Sequence, residues 1–219
     1  LHVRSRRQRQ MCIRDRYRCL NTYKKIDVII CPSNFMKEVL SSNLSIAERL
    51  IVLHNYCPIN AQTKYEKKNY VLYFGRYSEE KGIATLIKAC RNLPQVSFVF
   101  AGDGPYKKEI EMLPNVRNLG FLRDEQLQKA IGEARFAVVP SVGYENCPFT
   151  VIEAQRLGTP VLGANIGGIP ELIDVGVTGE VFEPGNAREL ENLILHLWND
   201  MERLSLIHIS EPTRRTPIS

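Results

Sequence analysis

Short apolar runs alternate along this chain with stretches whose apolar positions recur every three to four residues, a pattern of strands and amphipathic helices. "DVIIC" (Asp27–Cys31) predicts a first strand, and Ser33 predicts the N-cap of a helix through "NFMKEVLSS". "RLIVLHN" predicts a second strand, and the polar "CPINAQTKYEKKN" an irregular linker. A new series starts with the strand "YVLYFG" (Tyr70–Gly75). Ser78 then predicts the cap of a helix in which Ile83, Leu86, Ile87 and Cys90 share one face.

The same alternation continues to the last helix. "VSFVFAGDGP" reads as a strand running into a glycine loop, residues 106–112 as a helix, and "VRNLGFL" as a short strand. Asp124 predicts the cap of "EQLQKAIGEA", with Leu127, Ala130, Ile131 and Ala134 inward. After the strand "FAVVPS", Pro148 predicts a helix start, since its missing N–H needs no partner there, and Gly158 predicts that helix's end. "PVLGAN", a glycine turn into "GGIPELID", the strand "GEVFE" and a helix opened by Asn186 follow, with Leu190, Leu193, Ile194 and Leu197 inward. Repeated β-α-β units with continuously apolar strands predict an α/β fold, a Rossmann-like parallel sheet with helices on both faces.

Charge changes the picture only at the ends. The 219 residues carry a formal +5, yet residues 1–16 hold six arginines against Asp15, and residues 204–219 hold Arg214 and Arg215 against Glu211. Residues 17–203 are left at −1, so the body has no basic surplus and no nucleic-acid partner is expected. "MCIRDR" (11–16) and "LSLIHI" (204–209) are similar to in-frame translations of the two strands of one sequencing-library transposon adapter. Segments 1–16 and 204–219 are therefore expected to be non-native tails and are left out of fold reasoning. The remaining cysteines, Cys19, Cys31, Cys57, Cys90 and Cys147, are odd in number and form no C-x-x-C pair. That usage argues against a disulfide framework or a zinc site and for a reducing, cytoplasmic setting.

In parallel sheets, ligands sit beyond the carboxyl ends of the strands, where loops open into helix N-termini. "GRYSEEKG", "AGDGP", "SVGYENCPF" and "NIGGIPE" occupy such places. Their glycines permit close backbone approach, and their N–H groups suit an anion. Arg76 could grip phosphate oxygens in a bidentate fashion, with Lys81 as a point charge beside it. Taken alone, both also fit solvated cations balanced by Glu79 and Glu80. No G-x-G-x-x-G follows the first strand and no P-loop is present, which disfavours a dehydrogenase. His54 reads as a packing histidine, His196 as a surface residue and Trp198 as cover for the core.

Together "YVLYFGRYSEEKGIATLI", "AGDGP", "LGFL", "VVPSVGYENCPFTVIEAQRLGTPVLGANIGGIPELI" and "TGEVFEPGN" resemble the donor-binding half of the family 4 retaining glycosyltransferases (glycosyl transferases group 1). That family has the GT-B fold, two Rossmann-like domains facing across a cleft. The resemblance implies that residues 17–57 are the end of an acceptor domain, 58–69 a linker and 70–203 a truncated nucleotide-sugar donor-binding domain. It also implies transfer of a sugar from a nucleoside-diphosphate sugar to a saccharide or lipid-linked acceptor, with retention and with no metal or other cofactor. Such an enzyme is expected in the cytoplasm at the inner face of the cell membrane, with peripheral contact through the acceptor domain, in a bacterial polysaccharide pathway.

In the E-x7-E element the resemblance gives Glu153 the ribose hydroxyls and Glu145 the donor-sugar hydroxyls. Arg76 and Lys81 would hold the diphosphate and stabilise the leaving charge, so Arg76, Lys81 and Glu145 are the catalytic candidates. Leu122 would meet the base through backbone, and Gly75, Gly102, Gly104 and Asn146 would line the pocket. Eight residues on one helix would span about 12 Å; Glu145 in the loop before Pro148 lets both carboxylates face one ligand. The free N–H groups of Phe149 and Thr150 would attract its phosphates. Cys147 has no assigned role beyond an expected sensitivity of the pocket to thiol reagents. A GT-B sugar-nucleotide epimerase and a non-catalytic nucleotide-sugar-binding module are the competing readings. This chain by itself is expected to bind nucleotide weakly and to transfer nothing.

Overall fold

The computed structural model describes residues 25–43, 46–57 and 65–199. The segments 1–16 and 204–219 and the first part of the expected linker, 58–64, lie outside them. Two units divide between His54 and Asn55.

In the first unit, β1 (Ile29–Cys31) pairs in parallel with β2 (Leu50–Val52), Ile30 opposite Ile51. The helix α1 (Asn34–Asn43) starts where expected, because the Ser33 hydroxyl accepts the Met36 N–H at 3.1 Å. Cys31, Ile46 and Leu50 form its small core, with Met36 and Leu40 packed against them. The opposite face of the two strands bares Val28, Ile30, Ile51 and Leu53. His54 is a packing histidine, its Nδ1 3.0 Å from the Pro32 carbonyl oxygen.

The second unit is a six-stranded, wholly parallel sheet. Its strands are β3 (Val71–Phe74), β4 (Phe98–Ala101), β5 (Val116–Asn118), β6 (Phe136–Val139), β7 (Val161–Ala164) and β8 (Gly179–Phe182). The order across the sheet is β5-β4-β3-β6-β7-β8. The chain thus winds outward from β3 through β4 and β5, returns to β3's other side as β6, and winds outward again. Direction reverses between β3 and β6, the topological switch point at which such sheets open a crevice.

Both sheet faces are covered, which is why the strands read as unbroken apolar runs. Tyr73, Phe98, Phe100, Phe136, Val138 and Phe182 point to one face. There they meet α2 (Ile83–Asn92), α3 (Lys107–Glu111) and α6 (Ala187–Asn199) through Leu86, Ile110 and Ile194. Leu72, Phe74, Val99, Ala137 and Val139 point to the other face, under α4 (Asp124–Glu133) and α5 (Phe149–Arg156). Fully buried side chains such as Phe98, Phe100 and Phe136 each contribute about 1.5–3 kcal/mol. Trp198 lies partly buried against the first cluster, with the Arg135 guanidinium 5.0 Å above its ring.

Several element boundaries differ from expectation. Ser78 caps no helix: a 3-10 turn (Glu79–Lys81) follows it, and α2 begins only after Gly82, whose φ of 69° breaks the helical path. Asp124 makes no side-chain cap bond and is itself the first residue of α4, at φ 46°. Pro148 sits at the N-cap of α5 with an extended ψ of 126°, so the helix opens at Phe149. Two signals hold. Gly158, at φ 69°, ends α5, with Thr159 N–H donating to Ala154 O and Gly158 N–H to Gln155 O, a Schellman closure. Asn186 caps α6, its Oδ1 accepting the Glu189 N–H at 3.2 Å and its Nδ2 donating to Glu189 Oε2 at 3.1 Å.

The described end of the expected linker is fastened down. The Tyr65 ring covers Gly132, the Lys68 N–H donates to the Glu133 carbonyl at 2.7 Å, and Lys67 Nζ donates to Thr159 Oγ1 at 2.8 Å. Cys31, Cys57, Cys90 and Cys147 are buried free thiols. Among the described residues, no helix is long and apolar enough to cross a membrane.

Candidate functional site: a crevice at the switch point

The loops that leave β3, β4, β6 and β7 meet backbone to backbone at the carboxyl edge of the sheet. A Cβ on Gly102 would lie 1.9 Å from the Gly75 carbonyl oxygen, and one on Gly104 2.5 Å from that of Tyr77. The Gly102 N–H also donates to the Gly120 carbonyl at 2.8 Å. What demands glycine at 102 and 104 is therefore the approach of neighbouring loops within the protein. Across the switch point, a Cβ on Gly82 would lie 1.7 Å from Pro140 O, and the Glu80 carbonyl accepts the N–H groups of Val142 and Gly143. The β3 and β6 loops form one ledge.

Aromatic residues support that ledge. The Tyr73 hydroxyl donates to the Arg76 carbonyl at 2.7 Å, and the Tyr77 hydroxyl to Asn118 Oδ1 at 2.9 Å. Asn118 Oδ1 also accepts the Gly120 N–H, tying the loop after β5 to the same post. Both rings stack about Phe100. Burial pushes both phenol pKa values up, so both hydroxyls remain donors.

On this ledge Lys81 and Glu145 form an ion pair, Nζ to Oε1 at 2.5 Å. Lys81 ends the 3-10 turn after β3, and Glu145 sits in the loop after β6, so the pair bridges the switch point. The Ser141 hydroxyl, 1% exposed, donates to the same Oε1 at 3.1 Å. Gly168 N–H holds the Glu145 carbonyl at 2.7 Å, and Gly167, at φ 61°, leaves the clearance this requires. Arg76 is exposed, its Nη2 3.2 Å from Glu80 Oε1. Arg76, Glu80 and Lys81 share the loop that leaves β3.

Glu153 belongs to the helix that follows the Glu145 loop. It lies in the second turn of α5, partly buried, and no hydrogen bond or ion pair links its carboxylate to another described residue. Burial raises its pKa above the ordinary carboxylate value. Asn146 and Phe149 are exposed and Thr150 partly so, and the Val151 N–H is bonded to Pro148 O. The Leu122 side chain packs onto the second core cluster and lines a cavity of about 360 Å³ with Tyr70, Val99, Leu119 and Ala130. Cys147 is only 6% exposed and burial pushes its thiol pKa up, so the expected reagent sensitivity is corrected: this is a packed, protonated cysteine. Its carbonyl accepts from Asn55 Nδ2 at 2.9 Å. Ser141 and the Glu80 carbonyl are parts of the site that the sequence reading did not single out.

The model for the glycosyl transferases group 1 family matches residues 59–208. The chain belongs to that family. This group 1 chain is 34% identical over 148 residues to the sulfoquinovosyl transferase SQD2 of Arabidopsis thaliana, covering 64% of this chain and 29% of that protein. It is 32% identical over 143 residues to the alpha-D-kanosaminyltransferase of Streptomyces kanamyceticus, covering 60% and 37%. It therefore spans well under half the length of these two relatives. Among solved structures, Anabaena Alr3699/HepE in complex with UDP superposes with a TM-score of 0.73 at 26% identity, over 83% of this chain and 57% of that one. The UDP-glucose complex of the same protein gives 0.72 at 25% identity. The helix-flanked parallel sheet matches these GT-B glycosyltransferase neighbours.

Proposed function

We propose that this chain carries the donor-binding domain of a family 4, retaining glycosyltransferase of the GT-B fold. The reaction moves a sugar from a nucleoside diphosphate to the hydroxyl of a saccharide or lipid-linked acceptor. The observation that carries this reading is the Lys81–Glu145 pair on the ledge at the switch point, with Arg76 on the same loop as Lys81. Two cations and the N-terminus of α5 suit a diphosphate, and the Glu145 carboxylate suits sugar hydroxyls.

In this reading Arg76 and Lys81 neutralise the departing diphosphate, Glu145 orients the donor sugar, and Glu153, one helix further on, takes the ribose hydroxyls. Catalysis rests on positioning and on electrostatic stabilisation of the leaving group, without a protein nucleophile or a metal. Uridine diphosphate is the first nucleotide to test, since the Anabaena neighbour is described in complex with UDP and UDP-glucose.

The first unit is proposed as the end of an acceptor domain. Parallel strands are ordinarily covered on both faces, and the bared Val28, Ile30, Ile51 and Leu53 present an apolar face suited to further strands and helices of that domain. By itself the 219-residue chain would bind nucleotide and transfer nothing. A panel of UDP, GDP and ADP sugars in thermal-shift experiments tests the reading. One of them should stabilise the chain by about 2.7 kcal/mol at a hundredfold excess over Kd, and silence across the panel would defeat it.

A further inference from the structure

Both cations on the ledge already have a carboxylate, and each carboxylate is steadied by a serine. Ser141 holds Glu145 against Lys81. Ser78 Oγ donates to Glu80 Oε1 at 2.7 Å, and the same oxygen faces Arg76 Nη2 at 3.2 Å. The pairs differ in enclosure: the Lys81 and Glu145 side chains are 29% and 18% exposed, those of Arg76 and Glu80 68% and 51%. An exposed ion pair is a weak contact, held in high dielectric and readily exchanged. A phosphate that takes Arg76 Nη2 displaces Glu80 Oε1.

We propose that Glu80 is the counter-ion that a nucleoside diphosphate displaces from Arg76, and that it sets the affinity of the site by competing for the guanidinium. This rests on the donor-site reading above. Backbone and side chain of Glu80 have separate tasks. Its carbonyl holds the N–H groups of Val142 and Gly143 and so fixes the β6 loop, which no substitution at Cγ or beyond removes. Its carboxylate occupies Arg76 until a ligand with more charge arrives, and its own negative charge then opposes that ligand at short range. A glutamine keeps the shape and the oxygen facing Ser78 and deletes the charge.

The test is calorimetric titration of UDP, inorganic pyrophosphate and uridine into the full chain and its Glu80→Gln variant, at about 50 mM and about 1 M salt. The variant should bind UDP and pyrophosphate at least about threefold more tightly at low salt, a gain screened away at high salt, with uridine unaffected. In an Arg76→Ala background the same substitution should give a clearly smaller gain, only the relief of direct repulsion, since the competition for the guanidinium is gone. Ser78→Ala, which loosens the carboxylate, should shift affinity the same way by less and serves if E80Q folds poorly. Equal or weaker binding by E80Q, or a gain that is as large in R76A or extends to uridine, overturns the counter-ion role. Wild-type chain that binds neither UDP nor pyrophosphate, nor any nucleotide sugar of the panel, overturns the donor-site reading and this inference with it.

Discussion

Lys81 Nζ and Glu145 Oε1 meet at 2.5 Å across the line where the sheet reverses its winding. Neither residue's own strand neighbours could make this contact; it exists because β6 returns to the side of β3. Replacing Lys81 by alanine removes a charge-assisted partner, so nucleotide affinity should fall about 10- to 100-fold. Glu145→Gln should retain binding of the nucleoside diphosphate and weaken binding of whichever nucleotide sugar stabilises the wild-type chain. Calorimetry with both ligands separates the two outcomes.

The backbone ledge predicts an ordering of glycine substitutions. Gly82→Ala meets the Pro140 carbonyl at 1.7 Å and also requires φ of 69°. It should cost more than about 3 kcal/mol or prevent folding. Gly120→Ala has the same kind of backbone, φ 67°, and no atom within 4 Å of the added Cβ. Its cost should stay near the 1–2 kcal/mol of left-handed strain alone. Urea denaturation of both variants checks the contrast.

Glu153 offers a trade between stability and binding. Burial raises its pKa, so the folded chain binds more protons than the unfolded chain just above the ordinary carboxylate range. Stability contributed by the protonated form is present below that range and lost as pH rises through the folded pKa. Glu153→Gln should therefore melt higher than wild type at neutral pH and alike at pH values where Glu153 is protonated in both states. Its nucleoside-diphosphate affinity should fall. Melting curves over a pH series and a UDP titration read both.

Lys67 gives a second pH signature, of opposite sense. Burial pushes its pKa down to about 8 while Nζ donates to Thr159 Oγ1. The unfolded chain then binds more protons from about pH 8 up to the ordinary lysine value, and stability rises with pH across that window. Lys67→Met should flatten the rise, as urea midpoints near pH 7 and pH 9 would reveal.

The sheet was legible because its chemistry is repetitive. Runs such as Val71–Phe74 and Phe136–Val139 are apolar at every position because both sheet faces are covered, and periodicity alone reports that. Helix starts were less legible: Ser78 and Asp124 have cap chemistry, yet the chain spends Ser78 on Glu80 and turns through φ 46° at Asp124. A local cap signal cannot register a loop whose path is set by contact with Pro140, far away in sequence. The balance of Arg76 by Glu80 was open to sequence, but the pairing of Lys81 with Glu145 was not. Which carboxylate meets which cation depends on the order of strands, and Ser141 or the Glu80 carbonyl acquires meaning only once β6 lies beside β3. Cys147 shows the converse: its place beside Glu145 suggested access, and three-dimensional packing removed it.

The cation and carboxylate of the ledge come from opposite arms of the winding, 64 positions apart. A chain that has paired only β3, β4 and β5 carries Arg76 and Lys81 without Glu145 or Glu153, so the proposed donor site is incomplete until β6 arrives. Bound donor should then lengthen the lifetime of the native state while leaving its rate of formation untouched.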